Sequence, residues 1–427
     1  MRPRKRRRHW FRWFVALVAI GAIALALLNV RWPDHGPVQT VKATPEQLAR
    51  GRYLVAAADC AACHTAEGGA PFAGGVPLAS PFGTIHGTNI TPDPDHGIGR
   101  YTADDFHRVL TQGEARGGRQ LYPAMPYPSY RKMTREDADA IYAWLMNQPA
   151  AAVAPPPNGV GFPFNIRTLV NFWNFLYRDA EVPPVSQGSS PAWERGRYLV
   201  DVLGHCGDCH TPRGTLGEVD RSRVFAGNPA LGRHAAPDIR PQSLAARGWN
   251  AAALEAYLAH GIAAPAVASG EMLTVVNLST SRLDANDRAA MITYLLGDTP
   301  PAAQPAAVAN AGTAPDAGRS RYLGLCAGCH GLDAQGVPHV AVALAGNSTV
   351  RDPDPRNLVV TILDGLPEHV FGGTERMQPM PGSARDLTDA DVAALANWLR
   401  VRYGGQPASV TADAVAALRE SRIVAQH

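Results

Sequence analysis

A pattern of apolar and polar residues recurs three times along the chain and predicts a helix each time. Arg-Gly-Arg-Tyr-Leu-Val stands at residues 50–55 and again at 195–200, and Arg-Ser-Arg-Tyr-Leu at 319–323 is a shortened third version. Thr44-Pro45-Glu46-Gln47 precedes the first copy and has the pattern of a capping box with proline at the first helical position. We predict that each copy lies in a helix that opens a domain, called the opening helix below.

A second pattern ends each repeat and predicts what we call the closing helix. It begins at Thr134, Asp284 and Thr388, which are good N-cap residues with acidic residues in the turn that follows. Ten residues after each cap stands an aromatic residue that a leucine follows, and we interpret these aromatic residues as helix–helix core. They are Trp144, Tyr294 and Trp398.

An apolar run before the first repeat predicts a transmembrane helix. It extends over 18 residues, from Trp13 to Val30, without a formal charge, which is the lower end of the length that spans a bilayer. Trp10 and Trp32 lie at its two ends, and the basic residues that precede it predict an N-terminus in the cytoplasm. We expect one uncleaved span in the inner membrane with the remaining domains in the periplasm. A cleaved signal peptide is the alternative, and it exports the same domains.

The charge of the chain is unevenly distributed, which bears on its partners. The formal net charge is +3, but residues 1–34 carry eight basic residues and one acid, so that they hold +7 and leave −4 for the remainder. Because the basic excess lies beside the apolar run, it does not indicate nucleic acid as a partner.

Linker composition divides the chain into seven predicted segments. Residues 161–177 are unusually rich in Phe, Trp and Leu, so they either pack across two neighbouring domains or present a surface to a membrane or a partner. The segments are 1–43 (basic N-terminus, anchor and stalk), 44–152 (first domain), 153–190 (apolar connection), 191–299 (second domain), 300–317 (Ala/Pro linker), 318–404 (third domain) and 405–427 (tail).

All six cysteines occur in Cys-x-x-Cys-His, the attachment signature for haem c. In it the two thiols bond to the haem vinyl groups and the histidine ligates the iron. Structural zinc requires four ligands, a thioredoxin-like motif requires a βαβ context, and a disulfide framework would not place His after every second Cys. We predict three covalently bound haem c groups, attached at Cys60, Cys63, Cys206, Cys209, Cys326 and Cys329 and ligated by His64, His210 and His330.

Methionine is the expected second iron ligand in an electron-transfer cytochrome. Met125, Met272 and Met380 are predicted to take this role, because each lies in a predicted Pro- or Gly-containing loop shortly before a closing helix. The alternatives are Met377 for the third site and His86, His96 or His107 for the first. Met133 and Met291 are expected to be core residues.

Several further stretches give the chain a family resemblance. It resembles the triple-haem cytochrome c subunit of bacterial membrane-bound dehydrogenases of the alcohol, aldehyde, gluconate and sorbitol type. The matching stretches, apart from the signatures, are Phe-Gly-Thr-Ile at 82–85, Asn-Ile-Thr-Pro-Asp-Pro at 89–94, Leu-Tyr-Pro-Ala-Met-Pro-Tyr at 121–127, Phe-Pro-Phe-Asn at 162–165, Gly-His at 204–205, Thr-Pro-Arg at 211–213, Val-Val-Asn-Leu-Ser-Thr at 275–280, Asn-Leu at 357–358 and Met-Pro-Gly at 380–382.

The resemblance implies an all-α fold with three tandem class I cytochrome c domains, in addition to the transmembrane helix. It further implies a subunit that accepts electrons from a catalytic dehydrogenase subunit and delivers them to ubiquinone or a downstream respiratory carrier at the membrane. Two other functions fit the residues: a tethered shuttle to a terminal oxidase, and a peroxidase-like haem enzyme with one open iron. The first lacks a dedicated dehydrogenase and the second requires a five-coordinate site.

Overall fold

The chain divides into two compact units in the computed structural model, which describes residues 10–21, 36–305, 316–371 and 376–425. The first unit contains Cys63–Ala180 with the chain up to Val55, and the second contains Ala56–Ala62 and Glu181–His427. The second and third predicted domains therefore belong to one unit, and their finer division stays a prediction.

In the first unit, helices surround a few short strands. A three-stranded antiparallel sheet joins the first two strands to the last, and the two short strands between them pair with each other. The helices are Pro45–Ala57, Cys60–His64, Ala103–Gln112, Tyr127–Tyr130, Arg135–Met146 and Leu169–Tyr177, with a 3₁₀ turn at Arg116–Gly118, and the strands are Pro77–Ser80, Gly83–His86, Glu114–Ala115, Arg119–Gln120 and Gly159–Val160.

In the second unit, too, short strands of two to four residues lie between the helices, but among the described residues they pair only two by two. Its helices are Pro191–Arg197, Gly207–His210, Pro241–Ala246, Ala251–His260, Glu271–Leu278, Ala285–Leu296, Asp316–Leu325, Ala327–His330, Arg356–Asp364, Asp389–Leu399 and Ala412–Ala425, with a 3₁₀ turn at Thr280–Arg282 and π-helical turns at Tyr198–Leu203 and Arg400–Gly404. Its strands are Asn228–Leu231, His234–Ala236, Ile262–Ala263, Ala266–Val267, Gly365–Leu366, His369–Val370, Arg376–Met377 and Met380–Pro381.

Each opening helix crosses its closing helix at a glycine. A Cβ atom at this position would fall on a carbonyl oxygen of the closing helix, so the two backbones meet directly and no larger residue fits. This contact holds the two ends of each repeat together. The pairs are Gly51 with Ala140, Gly196 with Ala290, and Gly318 with Ala394.

An ion pair accompanies each crossing. In the third repeat, the residues that form the crossing and the ion pair are not those that a sequence alignment of the repeats predicts. An arginine of the opening helix pairs with the aspartate in the first turn of the closing helix. Aligning the repeats on their tyrosines places Ser320 opposite Gly51, but Gly318 occupies the crossing and Arg321 makes the pair. The pairs are Arg50 with Asp137, Arg195 with Asp287, and Arg321 with Asp391.

The predicted helix caps are confirmed. Thr44 and Gln47 bond reciprocally at the start of the first opening helix. The side chains of Thr134, Asp284 and Thr388 each accept a hydrogen bond from a backbone N–H in the first turn of a closing helix. The predicted tail also forms a helix, and its buried Val415 joins the core of the third repeat.

Two predictions about the fold were wrong. The fold is not all-α, because the Gly- and Pro-rich connections between helices turn back on themselves as short antiparallel pairs. The predicted membrane span is also corrected: residues 10–21 are helical, yet no helix within the described part of the chain has the length and apolar character needed to cross a bilayer. Residues 22–30, the second half of that span, lie outside the described residues. The location predicted from it, an inner-membrane protein with periplasmic domains, is corrected with it.

Candidate haem centres

The three Cys-x-x-Cys-His signatures form three similar helical turns. The turns are Cys60–His64, Gly207–His210 and Ala327–His330, the second and third beginning just after the first cysteine. None of the six cysteines, all of which lie in the described residues, forms a disulfide bond, so each turn presents two sulfur atoms that can form thioether bonds. The second signature follows the π-helical turn Tyr198–Leu203. Tyr198 stands eight residues before Cys206, whereas Tyr53 stands seven residues before Cys60, and the wider π-helical turn accommodates the extra residue.

The ring of each signature histidine is held by a backbone carbonyl. Nδ1 of His64 lies 2.6 Å from the carbonyl oxygen of Thr88. The same atom lies 2.8 Å from the carbonyl oxygen of Pro237 in His210, and 2.8 Å from that of Val342 in His330. A carbonyl oxygen only accepts, so Nδ1 must carry the proton, which leaves Nε2 free to ligate iron. Burial lowers the pKa of all three imidazoles and favours the neutral form that binds metal.

A glycine packs behind each histidine. Its N–H donates to the carbonyl oxygen of the signature histidine at 2.8 Å in all three repeats, and its φ is +79°, +83° or +77°. A Cβ there would collide with the peptide whose carbonyl accepts from the ring, so the glycine allows that peptide to approach the signature. The sequence analysis missed this feature because the glycines come 10, 17 and 6 residues after the histidine. They are Gly74, Gly227 and Gly336.

The backbone two residues before each glycine is also left-handed. Phe72, Phe225 and Ala334 have φ of +61°, +58° and +58°. In the first two repeats the N–H of this residue donates, at 3.0 Å, to the hydroxyl of Thr65 or Thr211, the residue directly after the histidine. Three sites thus share one backbone design on the histidine side.

The predicted methionine ligands lie in three different local structures, and all three side chains are half-buried. Met125 lies in a turn, where its N–H donates to Tyr122 at 3.0 Å and its carbonyl accepts from Tyr127 at 2.8 Å. Met272 is the second residue of the helix Glu271–Leu278, although the sequence predicted a loop there. Met380 lies in a strand opposite Leu366.

The alternative ligands and the core methionines occupy other positions. Met377 lies in a strand opposite His369, and His86 ends the strand Gly83–His86. Met133 and Met291 are buried, with exposures of 5% and 3%, in agreement with core roles.

The aromatic segment 161–177 packs against the loop that carries Met125. The hydroxyl of the fully buried Tyr127 donates to Asn174 at 2.7 Å, and Asn174 donates to Gln120 at 3.1 Å. The outward side of the segment is apolar, because Phe162, Phe172 and Phe175 are 81%, 61% and 84% exposed. The segment therefore supports the loop that carries Met125 and also presents an apolar surface.

Known proteins are similar to this chain in sequence. The cytochrome c family model matches residues 48–149 and 316–401, which include the first and third signatures. The fructose dehydrogenase cytochrome subunit of Gluconobacter japonicus is 36% identical over 96% of this chain and 90% of its own length. The chain belongs to the family of cytochrome c subunits of bacterial dehydrogenases.

Two further relatives of this cytochrome subunit family match most of the chain. The cytochrome c subunit of the quinone-type alcohol dehydrogenase of Gluconobacter oxydans is 34% identical over 93% of this chain and 87% of its own length. The gluconate 2-dehydrogenase cytochrome c subunit of Pantoea cypripedii is 37% identical over 88% and 90%. The cytochrome subunit described here is accordingly an electron-transfer protein with covalently bound haem c.

Proposed function

We propose that this cytochrome subunit binds three haem c groups and conducts electrons from a dehydrogenase subunit to ubiquinone or another respiratory carrier. The observation that carries the proposal is the threefold repetition of one histidine site. In each repeat two cysteines that form no disulfide bond, an imidazole with a fixed tautomer and a close-packed glycine occur together.

The residues fit the group that they would hold. Cys60 and Cys63 would attach the first haem and His64 would orient its iron, and the second and third signatures would act in the same way. When bound, each haem supplies one-electron chemistry between ferric and ferrous iron. The protein's part is to fix the ring, exclude competing ligands and set the reduction potential.

Met125, Met272 and Met380 would each supply a thioether ligand to one of the three haem irons. A thioether ligand raises the reduction potential and leaves no position for a substrate, so such a site exchanges electrons and does not activate oxygen or peroxide. This ligand set favours conduction over catalysis by the cytochrome itself.

The proposed partners follow from the names of the relatives. The relatives are the cytochrome subunits of fructose, alcohol and gluconate dehydrogenases, and the name of the alcohol dehydrogenase includes quinone. We propose that this chain likewise serves a catalytic subunit that oxidises an alcohol, a sugar or a sugar acid, with ubiquinone as acceptor.

The proposal is tested on the full-length protein purified from its native host. Intact-mass analysis should show three added haems, and a large catalytic subunit should copurify. Adding an oxidisable alcohol, fructose or gluconate to that complex should reduce the haems from ferric to ferrous, as followed by their absorption spectrum, and a soluble ubiquinone analogue should reoxidise them.

Three results would contradict the proposal. Fewer than three haems would remove its basis. A fully haem-loaded chain that never copurifies with a dehydrogenase, and is reoxidised by a terminal oxidase alone, would favour the shuttle. Carbon monoxide binding to one reduced haem of the unmodified protein would favour a peroxidase-like enzyme.

A further inference from the structure

A buried arginine links the second haem site to the third repeat. Arg247, which follows the helix Pro241–Ala246, is only 5% exposed. Its guanidinium donates to the carbonyl oxygen of Asp238, the residue after the one whose carbonyl holds His210. A positive charge is therefore fixed directly behind the second histidine site.

The second and third histidine sites differ at the carbonyl that follows the one holding the ring. In the second repeat this carbonyl, that of Asp238, accepts from the cationic guanidinium of Arg247. The third repeat differs at the corresponding carbonyl: that of Ala343, the residue after Val342, accepts from the neutral amide of Asn347 at 3.4 Å. The second and third sites thus share a backbone design but differ in local charge.

The counter-charge of Arg247 comes from the third repeat. Its Nη1 donates to Oδ2 of Asp352 at 2.9 Å, and the side chain of Asp352 is 14% exposed. The other carboxylate oxygen of Asp352 accepts from the N–H of Asp354 at 3.0 Å, and its carbonyl oxygen accepts from the buried Arg400 at 2.6 Å. Asp352 is therefore held in place by the third repeat, and its carboxylate forms an ion pair with Arg247 of the second repeat.

Neutral contacts also join the second and third repeats. Trp249 donates its indole N–H to the Ser348 hydroxyl at 2.9 Å. The side-chain amide of Asn357 accepts a hydrogen bond from the N–H of Ala235 at 2.9 Å and donates one to its carbonyl oxygen at 2.8 Å. Because these contacts join the same two repeats without charge, they allow the electrostatic part of the contact to be separated from its structural part.

We infer that Arg247 is a positioning residue that raises the reduction potential of the second haem, and that Asp352 of the third repeat partly offsets this effect. Reduction of a haem removes one positive charge from the iron, so a nearby buried cation favours the ferrous state, whereas a nearby carboxylate favours the ferric state. The potential of the second haem then depends on its contact with the third repeat. The inference rests on the proposed function only in requiring a haem at Cys206 and Cys209.

The test compares three variants of the full-length protein by spectroelectrochemical titration, with haem content checked by intact mass. R247Q should lower one midpoint potential by about 59 mV, which corresponds to a roughly tenfold change in the equilibrium constant of the one-electron couple. D352N should raise the same component, because the guanidinium loses its counter-charge. N357A removes two hydrogen bonds between the same repeats and no charge, so it should leave all potentials in place.

The signs of the shifts decide the outcome. Shifts of the same sign in R247Q and D352N, or an equal shift in N357A, would overturn the inference, because loosening of the contact would then be the cause. If R247Q does not retain its haems, R247K provides the second test: it keeps the charge and should keep the potential, and a shift as large as about tenfold would overturn the inference. A wild-type chain without haem at the second signature would overturn the proposed function as well, whereas same-sign shifts overturn the inference alone.

Discussion

The histidine side and the methionine side of the three sites differ in how they are built. On the histidine side, the same carbonyl acceptor and the same left-handed glycine recur in all three repeats. On the methionine side, Met125 lies in a turn, Met272 in a helix and Met380 in a strand.

The difference follows from how each side is connected to the chain. The histidine side depends on a five-residue signature and one peptide brought against it, so its geometry is fixed by close backbone contacts. The methionine side comes 50 to 62 residues after the histidine, and the chain between them can change its local structure. Attachment is therefore the constant part of the design, and the proposed methionine ligand is the part whose local structure varies.

Removal of a proposed methionine ligand should have the largest effect. We expect the reduced M380A variant to bind carbon monoxide at one haem, because its iron loses a ligand, and the potential of that haem should fall. M377A is the matched control, since this residue lies nearby in another strand, and it should bind none. Carbon monoxide binding by M377A in place of M380A would transfer the ligand role to Met377.

On the histidine side, G74A should destabilise the first site. The new Cβ would lie 2.6 Å from the carbonyl oxygen of Gly87 and from the carbonyl carbon of Thr88, at a φ of +79°. We expect a loss of about 3 kcal/mol in the free energy of unfolding, measured by denaturant titration.

Gly75 supplies the control for this variant. Its φ is +94°, but its nearest neighbour would be the Cβ of Ala66 at 3.5 Å, so G75A tests left-handed strain without the collision. It should cost about 1 kcal/mol. Equal losses in the two variants would show that the close approach behind His64 contributes nothing.

Loss of a hydrogen bond that supports the Met125 loop should destabilise the protein somewhat less than G74A. N174A leaves the hydroxyl of the buried Tyr127 without its acceptor, which should cost about 2 kcal/mol in thermal or denaturant unfolding. The double variant Y127F/N174A removes both partners and should recover part of this loss. No recovery would show that Asn174 acts through packing and not through this hydrogen bond.

The smallest effect is expected at the threonine after the second signature. T211V keeps the shape of the fully buried side chain but leaves the N–H of Phe225 unpaired, at a cost of about 1 kcal/mol in the free energy of unfolding. T65V, at the half-buried equivalent in the first repeat, should cost less because water can replace the hydroxyl. A larger loss for T65V would contradict this ranking by burial.

Sequence patterns predicted the parts of the sites that are local. The signatures and the caps at Thr134, Asp284 and Thr388 depend on a few adjacent residues, so they could be read directly. The glycines behind the histidines could not, because their spacing from the signature varies and only the packing shows that they are equivalent. Gly318 was missed for a related reason: it stands four residues before Tyr322, whereas the first two crossing glycines stand two residues before their tyrosines, so alignment on the tyrosine conceals it.

The glycine crossings have a consequence for how such a chain can change its length. Since each repeat is closed by a contact between its own first and last helices, the points where it joins its neighbours lie close together in space. A whole repeat can then be duplicated, deleted or exchanged by splicing at those points, with little disturbance to its interior. Chains with fewer or more redox groups are accessible from this one by a single recombination event.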